Sequence, residues 1–313
     1  MSRVVVSIIC NAYNHEAYIR DALNGFLMQK TNFEFEVLVH DDASTDKTAD
    51  IIREYEEKYP EIIKPIYQTE NQYSKGKDIV GKIQRARVTG KYTAICEGDD
   101  YWTDKYKLQK QYDAMELHSD VDICAHAASG VDAATGKIIK VIAPAKKDTI
   151  FKVEDVIIGG GGYVATNSLF YRSDIDKNIP QFRQMLGLDL TLQIHGSLRG
   201  GMLFLSDNMS VYRMCAKGSW TERMSGDHEK QVLHAKRVLA MFDVLNRETN
   251  YRYANTINKK CILNEIAIFE RQGDHKKILS KPYIGIYKDL PFKRKVKIFL
   301  KACIQFLSVW KKQ

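Results

Sequence analysis

The chain has 313 residues, 44% hydrophobic and 27% charged, which suffices for a sizeable buried core and is ordinary for a globular protein. Its net charge of +8 is concentrated at one end: residues 291–313 carry seven basic side chains and no acidic one, leaving 40 basic against 39 acidic residues before them. A near-neutral body argues against nucleic-acid binding across the main domain, and the six scattered cysteines without a C-x-x-C pair argue for reduced thiols in the cytosol. No charged leader with an apolar core opens the sequence and no stretch nears 18 apolar residues, so neither a signal peptide nor a membrane span is expected.

From the N-terminus, short apolar runs alternate with longer periodic ones. Strands are expected at Val4–Cys10, Glu36–His40, Ile62–Tyr67, Thr93–Cys96 and Val121–Ala127. Helices are expected between them, at about Glu16–Gln29, Thr45–Tyr59, Lys77–Thr89 and Lys105–Leu117. This is the pattern of an α/β fold, a mostly parallel sheet flanked by helices. Past Ala128 the regularity weakens: "DAATGKIIK" reads as a turn and strand, "KVEDVII" as a short helix, and Gly159–Gly162 as either a loop or the hinge of a lid. Helices return from Glu229 to about Asn246 and from Tyr253 to about Gln272. The tail 291–313 then forms a basic amphipathic helix with Phe292, Val296, Phe299, Leu300, Cys303, Phe306, Leu307 and Trp310 on one stripe.

In an open α/β sheet, ligands bind beyond the carboxyl ends of the strands. Three expected strands end in polar clusters there: "NAYNHE" at Asn11–Glu16, "DDASTD" at Asp41–Asp46 and "EGDD" at Glu97–Asp100. Asp41, Asp42, Ser44 and Asp46 could equally cap the helix that starts near Thr45. The "EGDD" cluster resists that reading, because carboxylates so close repel one another unless a cation or a set of donors compensates. Hard oxygen ligands without a Cys or His cluster suit Mg²⁺ or Mn²⁺.

The segments "VSIICNAYNHEAYIRDAL", "FEVLVHDDASTDKTADII" and "GKYTAICEGDDYW", in this order and spacing, resemble the family-two glycosyltransferases of GT-A fold, in particular bacterial ones that build capsular or cell-surface polysaccharide. The resemblance is continuous over about the first 130 residues and patchy to about residue 222. It implies a glycosyltransferase domain at 1–226, with a nucleotide-sugar-binding half at 1–130 and an acceptor half at 131–226, followed by a helical extension at 227–313. It further implies that Asn11 and Tyr13 hold the nucleotide base and that Asp42, with Asp41 beside it, bonds the base or ribose. Asp99 would ligate the metal within the D-x-D motif, whose first aspartate is here Glu97, and Asp100 would face the donor sugar or support the loop. Asp189 stands where the family has its catalytic base; alternatively it only caps the helix Leu190–Leu198. Arg213 and Trp220 fall in a segment that closes over the donor, whereas His126 and His195 read as structural.

The function implied is inverting transfer from a UDP-sugar to a saccharide acceptor, free or lipid-linked, with no nucleic-acid partner. The tail would attach the enzyme to an anionic membrane at the cytoplasmic face, or else pack on the domain. A nucleotidyltransferase or a non-catalytic sugar-nucleotide-binding protein are the alternatives. The first is disfavoured because "CNAYNHE" has neither the glycines nor the arginine of a phosphate-reading loop.

Overall fold

The computed structural model describes residues 4–76, 78–187, 189–214, 216 and 227–310, with side chains to 305. The chain divides into two compact units, Met1–Ser225 and Gly226–Gln313. The first opens with β1 (Val6–Ala12), α1 (Ile19–Leu27), β2 (Phe35–Asp41), α2 (Thr48–Lys58), β3 (Ile63–Tyr67), α3 (Ile79–Arg87) and β4 (Tyr92–Ile95). It continues with β5 (Tyr101–Trp102), α4 (Lys107–Leu117), β6 (Ile123–Asp132), β7 (Ile138–Ile142), β8 (Thr149–Phe151) and α5 (Val153–Gly159). It ends with β9 (Phe170–Arg172), α6 (Gln181–Gln184), α7 (Asp189–Ser197) and β10 (Met202–Met214).

Strand β1 reads almost wholly apolar because both of its faces are covered; Val6, Ile8 and Cys10 have no exposed surface. Helix α1 buries Ile19, Ala22, Leu23 and Phe26, one stripe at three- and four-residue steps. Gly25 on that helix lets it lie directly on β5, since a Cβ there would stand 3.0 Å from the Trp102 backbone nitrogen.

The sheet order is β3-β2-β1-β4-β9-β6-β10-β5, with β7 paired to β6 and β8 to β10. Strands β3, β2, β1 and β4 are parallel, as their helical crossovers require. The parallel run stops at β4. Its other neighbour is β9, three residues long and antiparallel, so β6 shares the direction of β4 from one strand further away. The fold is therefore mixed, parallel in its first half and largely antiparallel beyond. Strand β10 breaks register around Asn208; its first part pairs with β8 and its later part with β5. The chain leaves β1 toward β2, while β4 lies on the opposite side of β1. The carboxyl ends of β1 and β4 thus flank the point where strand order reverses, where such sheets hold ligands.

The second unit comprises α8 (His228–Glu248), α9 (Ala254–Gln272), α10 (His275–Ile278), α11 (Tyr283–Asp289) and α12 (Phe292–Trp310). Asp227 caps α8 by accepting a hydrogen bond from the Lys230 amide at 2.9 Å. Ile266, Ile278, Leu290 and Ile298 form a core shared by α9, α10 and α12, and Arg294 pairs with Glu270 beside it. No helix among the described residues is long and apolar enough to cross a membrane.

Candidate active site

The turn after β4 is stitched to the end of β1. The Gly98 amide donates to the Asn11 carbonyl at 2.9 Å, and the Cys96 amide to that of Ile9 at 3.1 Å. Asn11 in turn donates its side-chain amide to Glu97 Oε1 at 3.4 Å and accepts from Gln84 Nε2 at 3.2 Å. Gln84, wholly buried on α3, also donates to the Leu38 carbonyl at 2.8 Å, so one side chain ties the end of β1 to the middle of β2. Gly98 is required by space: a Cβ there would lie 2.9 Å from His15 Nδ1.

The turn concentrates negative charge. Withdrawal from water and the nearby Asp99 charge push Glu97 up to about 8. The same two causes, in the same order, raise Asp100 well above the usual carboxylate range. Asp100 is 1% exposed and accepts the Arg213 amide at 2.7 Å, so it supports the loop. The Arg213 guanidinium bonds the Asp99 carbonyl at 2.8 Å and the Asp21 carboxylate, between the rings of Tyr18 and Tyr101. It clamps the turn to α1. The Asp99 carboxylate has no hydrogen-bond partner among the described residues. No group of three or more His, Cys, Asp or Glu side chains among them forms a metal cage.

Asp189 opens α7 beside this turn. Its Oδ2 accepts from Thr166 Oγ1 at 2.8 Å and its Oδ1 from the Leu190 amide at 2.7 Å. A capping carboxylate bonds amides two or three residues on, so this geometry is not a cap. Burial raises its pKa above the ordinary aspartate value. A cavity of ≈ 140 Å³ is lined by Asn11, Glu97, Thr166 and Asp189 together with the paired Asp78 and Arg85.

Asp42 is also no cap: it accepts the amides of Gln72 at 2.7 Å and Tyr73 at 3.0 Å, with His40 Nε2 at 3.3 Å. It pins the loop after β3 against β2. Asp41 accepts the Ser44 amide at 3.3 Å through one oxygen; the other is buried without a partner. Asp46 does bond the start of α2, through the Thr48 amide at 2.9 Å. Tyr13 is 38% exposed just beyond the end of β1. Trp220 lies outside the described residues. His126 is buried against the Ala127 carbonyl, and His195 lies 3.1 Å from Arg183. The cysteines are free wherever they are described.

Two neighbours escaped sequence reasoning. Thr166 sits in a single helical turn with no motif around it. Burial raises the Tyr212 hydroxyl above the ordinary tyrosine range, and the charges of Asp100, Asp99, Asp189 and Glu97 add to it. Its place beside Arg213 on a strand was the only signal.

Residues 7–178 match the family model described as Glycosyl transferase family 2. The uncharacterized protein Rv1520 of Mycobacterium tuberculosis is 35% identical over 222 residues, 69% of this chain and 60% of that protein. The chain thus spans 60% of the length of this curated relative. The putative teichuronic acid biosynthesis glycosyltransferase TuaG of Bacillus subtilis is 36% identical over 126 residues, 40% of this chain and 46% of TuaG. Among solved structures, Staphylococcus aureus TarS 1–349 in complex with UDP-GlcNAc aligns with TM-score 0.55 at 19% identity, covering 86% of this chain and 81% of that one. The mannosyltransferase PcManGT of Pyrobaculum calidifontis, in complex with GDP-Man and Mn²⁺, aligns with TM-score 0.58 at 15% identity over 99% of this chain and 88% of its own. At these identities the structural likeness speaks for the fold, which is of GT-A type.

Proposed function

The chain belongs to glycosyl transferase family 2, and from that premise we propose that it is an inverting glycosyltransferase moving a hexosyl or N-acetylhexosaminyl group from a UDP-sugar to a saccharide acceptor. The observation that carries this reading is a single cavity lined by Asn11, Glu97 and Asp189, which come from three separate segments. Residues 1–130 supply the nucleotide side and residues 131–226 the acceptor side. The acceptor is a growing surface polysaccharide or its lipid-linked precursor, met at the cytoplasmic face of the membrane. The names of TuaG and the UDP-GlcNAc bound to TarS support substrate and setting alike.

Asn11 and Tyr13 frame the nucleotide base, and Asp42 keeps the loop at Gln72 and Tyr73 in place to cover it. The residues fit a divalent cation, because Asp99 offers an unbonded carboxylate in a turn whose crowded charge already raises Glu97 and Asp100. Asp99 would hold Mn²⁺ or Mg²⁺, with Glu97 near it. When bound, the cation supplies a Lewis acid for the departing diphosphate. Asp189 takes the proton of the acceptor hydroxyl as its oxygen bonds the anomeric carbon and the bond from that carbon to the phosphate oxygen breaks. Its raised pKa suits a base, and Thr166 fixes its orientation. The displacement is single, so no sugar becomes attached to the enzyme.

A thermal-shift panel tests donor class directly, since selective binding to the folded state raises the melting temperature. UDP and UDP-sugars should stabilise the protein more with Mn²⁺ than without. Preference for GDP would move the donor to the class bound by PcManGT, and indifference to every nucleotide would sink the reading.

A further inference from the structure

Helix α12 has two apolar faces. Ile298 and Ala302 are 0% exposed and belong to the inward face, which Arg294 and Gln305 fasten by bonds to Glu270 and the Gly273 carbonyl. Phe292, Val296, Phe299, Leu300 and Ile304 are 77%, 39%, 52%, 56% and 65% exposed. At about 100° per residue these five form an outward apolar row about 140° wide, centred on the side opposite Ile298 and Ala302. Phe292, Val296, Phe299 and Leu300 of the stripe expected from sequence are therefore on the solvent side, and the core is met by Ile298 and Ala302, which that stripe did not include. Lys293, Lys297 and Lys301, all exposed and four residues apart, form the row alongside the outward apolar one. None of the three makes an ion pair among the described residues.

We infer that this outward face of α12 is a docking surface for an anionic phospholipid bilayer, lying in the plane of the membrane with its apolar row at the headgroup boundary. Exposed phenylalanine, leucine and isoleucine beside an uncompensated lysine row match that partner in both hydrophobicity and charge. A second copy of the chain is a poorer occupant, because residues 291–313 contain seven cations and no acid and would face their own charge across an isologous contact. The inference is separate from the transfer chemistry, and either can fail without the other.

Removing the helix is the wrong test, because its inner face holds the second unit together. Substitutions on the outer face leave that core intact. Full-length protein should co-sediment with phosphatidylcholine vesicles containing phosphatidylglycerol, weakly with phosphatidylcholine alone, and less as salt is raised. Replacing Lys293, Lys297 and Lys301 together by Gln should weaken partitioning about 10²-fold. Phe299→Ser with Leu300→Ser should weaken it about 10-fold or more at unchanged melting temperature. Equal binding to neutral and anionic vesicles, wild-type binding by either variant, or no binding at all would overturn the inference. A lipid-free dimer that Phe299→Ser with Leu300→Ser dissolves would assign the face to a second copy instead.

Discussion

Asp99, Asp189 and Lys107 are all ionisable residues, and substitution tests something different at each. Asp99→Asn keeps shape and deletes charge, so the fold should survive while Mn²⁺-dependent UDP binding is lost; unchanged metal-dependent affinity would remove Asp99 from that role. Asp189→Asn retains an acceptor for Thr166 and Leu190 but no basic carboxylate. Turnover should fall by about 10²–10⁴ with the nucleotide-induced thermal shift preserved. Near-normal turnover would leave Asp189 a structural group. Lys107 lies in the core with no exposed surface, its Nζ 2.7 Å from Gln111 Oε1 and 3.9 Å from the centre of the Trp102 ring. Burial lowers its pKa to about 7. Between about pH 7 and 10 the unfolded chain therefore holds a proton that the fold does not, so this group makes stability rise with pH across that window. Lys107→Met should flatten that rise in denaturant titrations, and an unaltered slope would show that another group sets it.

At the scale of elements, α12 gives the sharpest contrast. Ile298→Ala opens a cavity between α9, α10 and α12 and should destabilise the second unit by about 2–5 kcal/mol. Phe299→Ala, one residue on, should change stability by about 0.5 kcal/mol or less. Urea unfolding of both variants decides whether the two faces are distinct, and similar losses would deny it. The sequence announced this helix but not its division, because both faces are apolar and periodicity alone does not say which one meets the core. Strand β10 was opaque for another reason. Its register breaks at Asn208, so the alternation that marks a strand shifts part way along, while β9 is too short to stand out.

Across the whole molecule, legibility followed locality. Strands β1 to β4 and their helices could be read because each carries its own pattern of burial, and the polar clusters after β1, β2 and β4 stood out against those apolar runs. The insertion of β9 beside β4 and the return of β10 past β6 depend on pairings between distant segments. So do the contacts that complete the candidate site: Thr166 on Asp189, Gln72 and Tyr73 on Asp42, Arg213 on the turn at Asp99. None has a local sequence signal. This assembly from distant segments is also what the functional claim rests on, since Asn11, Glu97 and Asp189 matter together only if they share a cleft. The most direct measurement is the rate of UDP release from UDP-sugars by the wild-type chain with Mn²⁺ and with chelator, alongside Asp99→Asn and Asp189→Asn. The account predicts metal-dependent release that rises when a saccharide acceptor is added and is lost in both variants. Release from no UDP-sugar, or release that both variants retain, would contradict it.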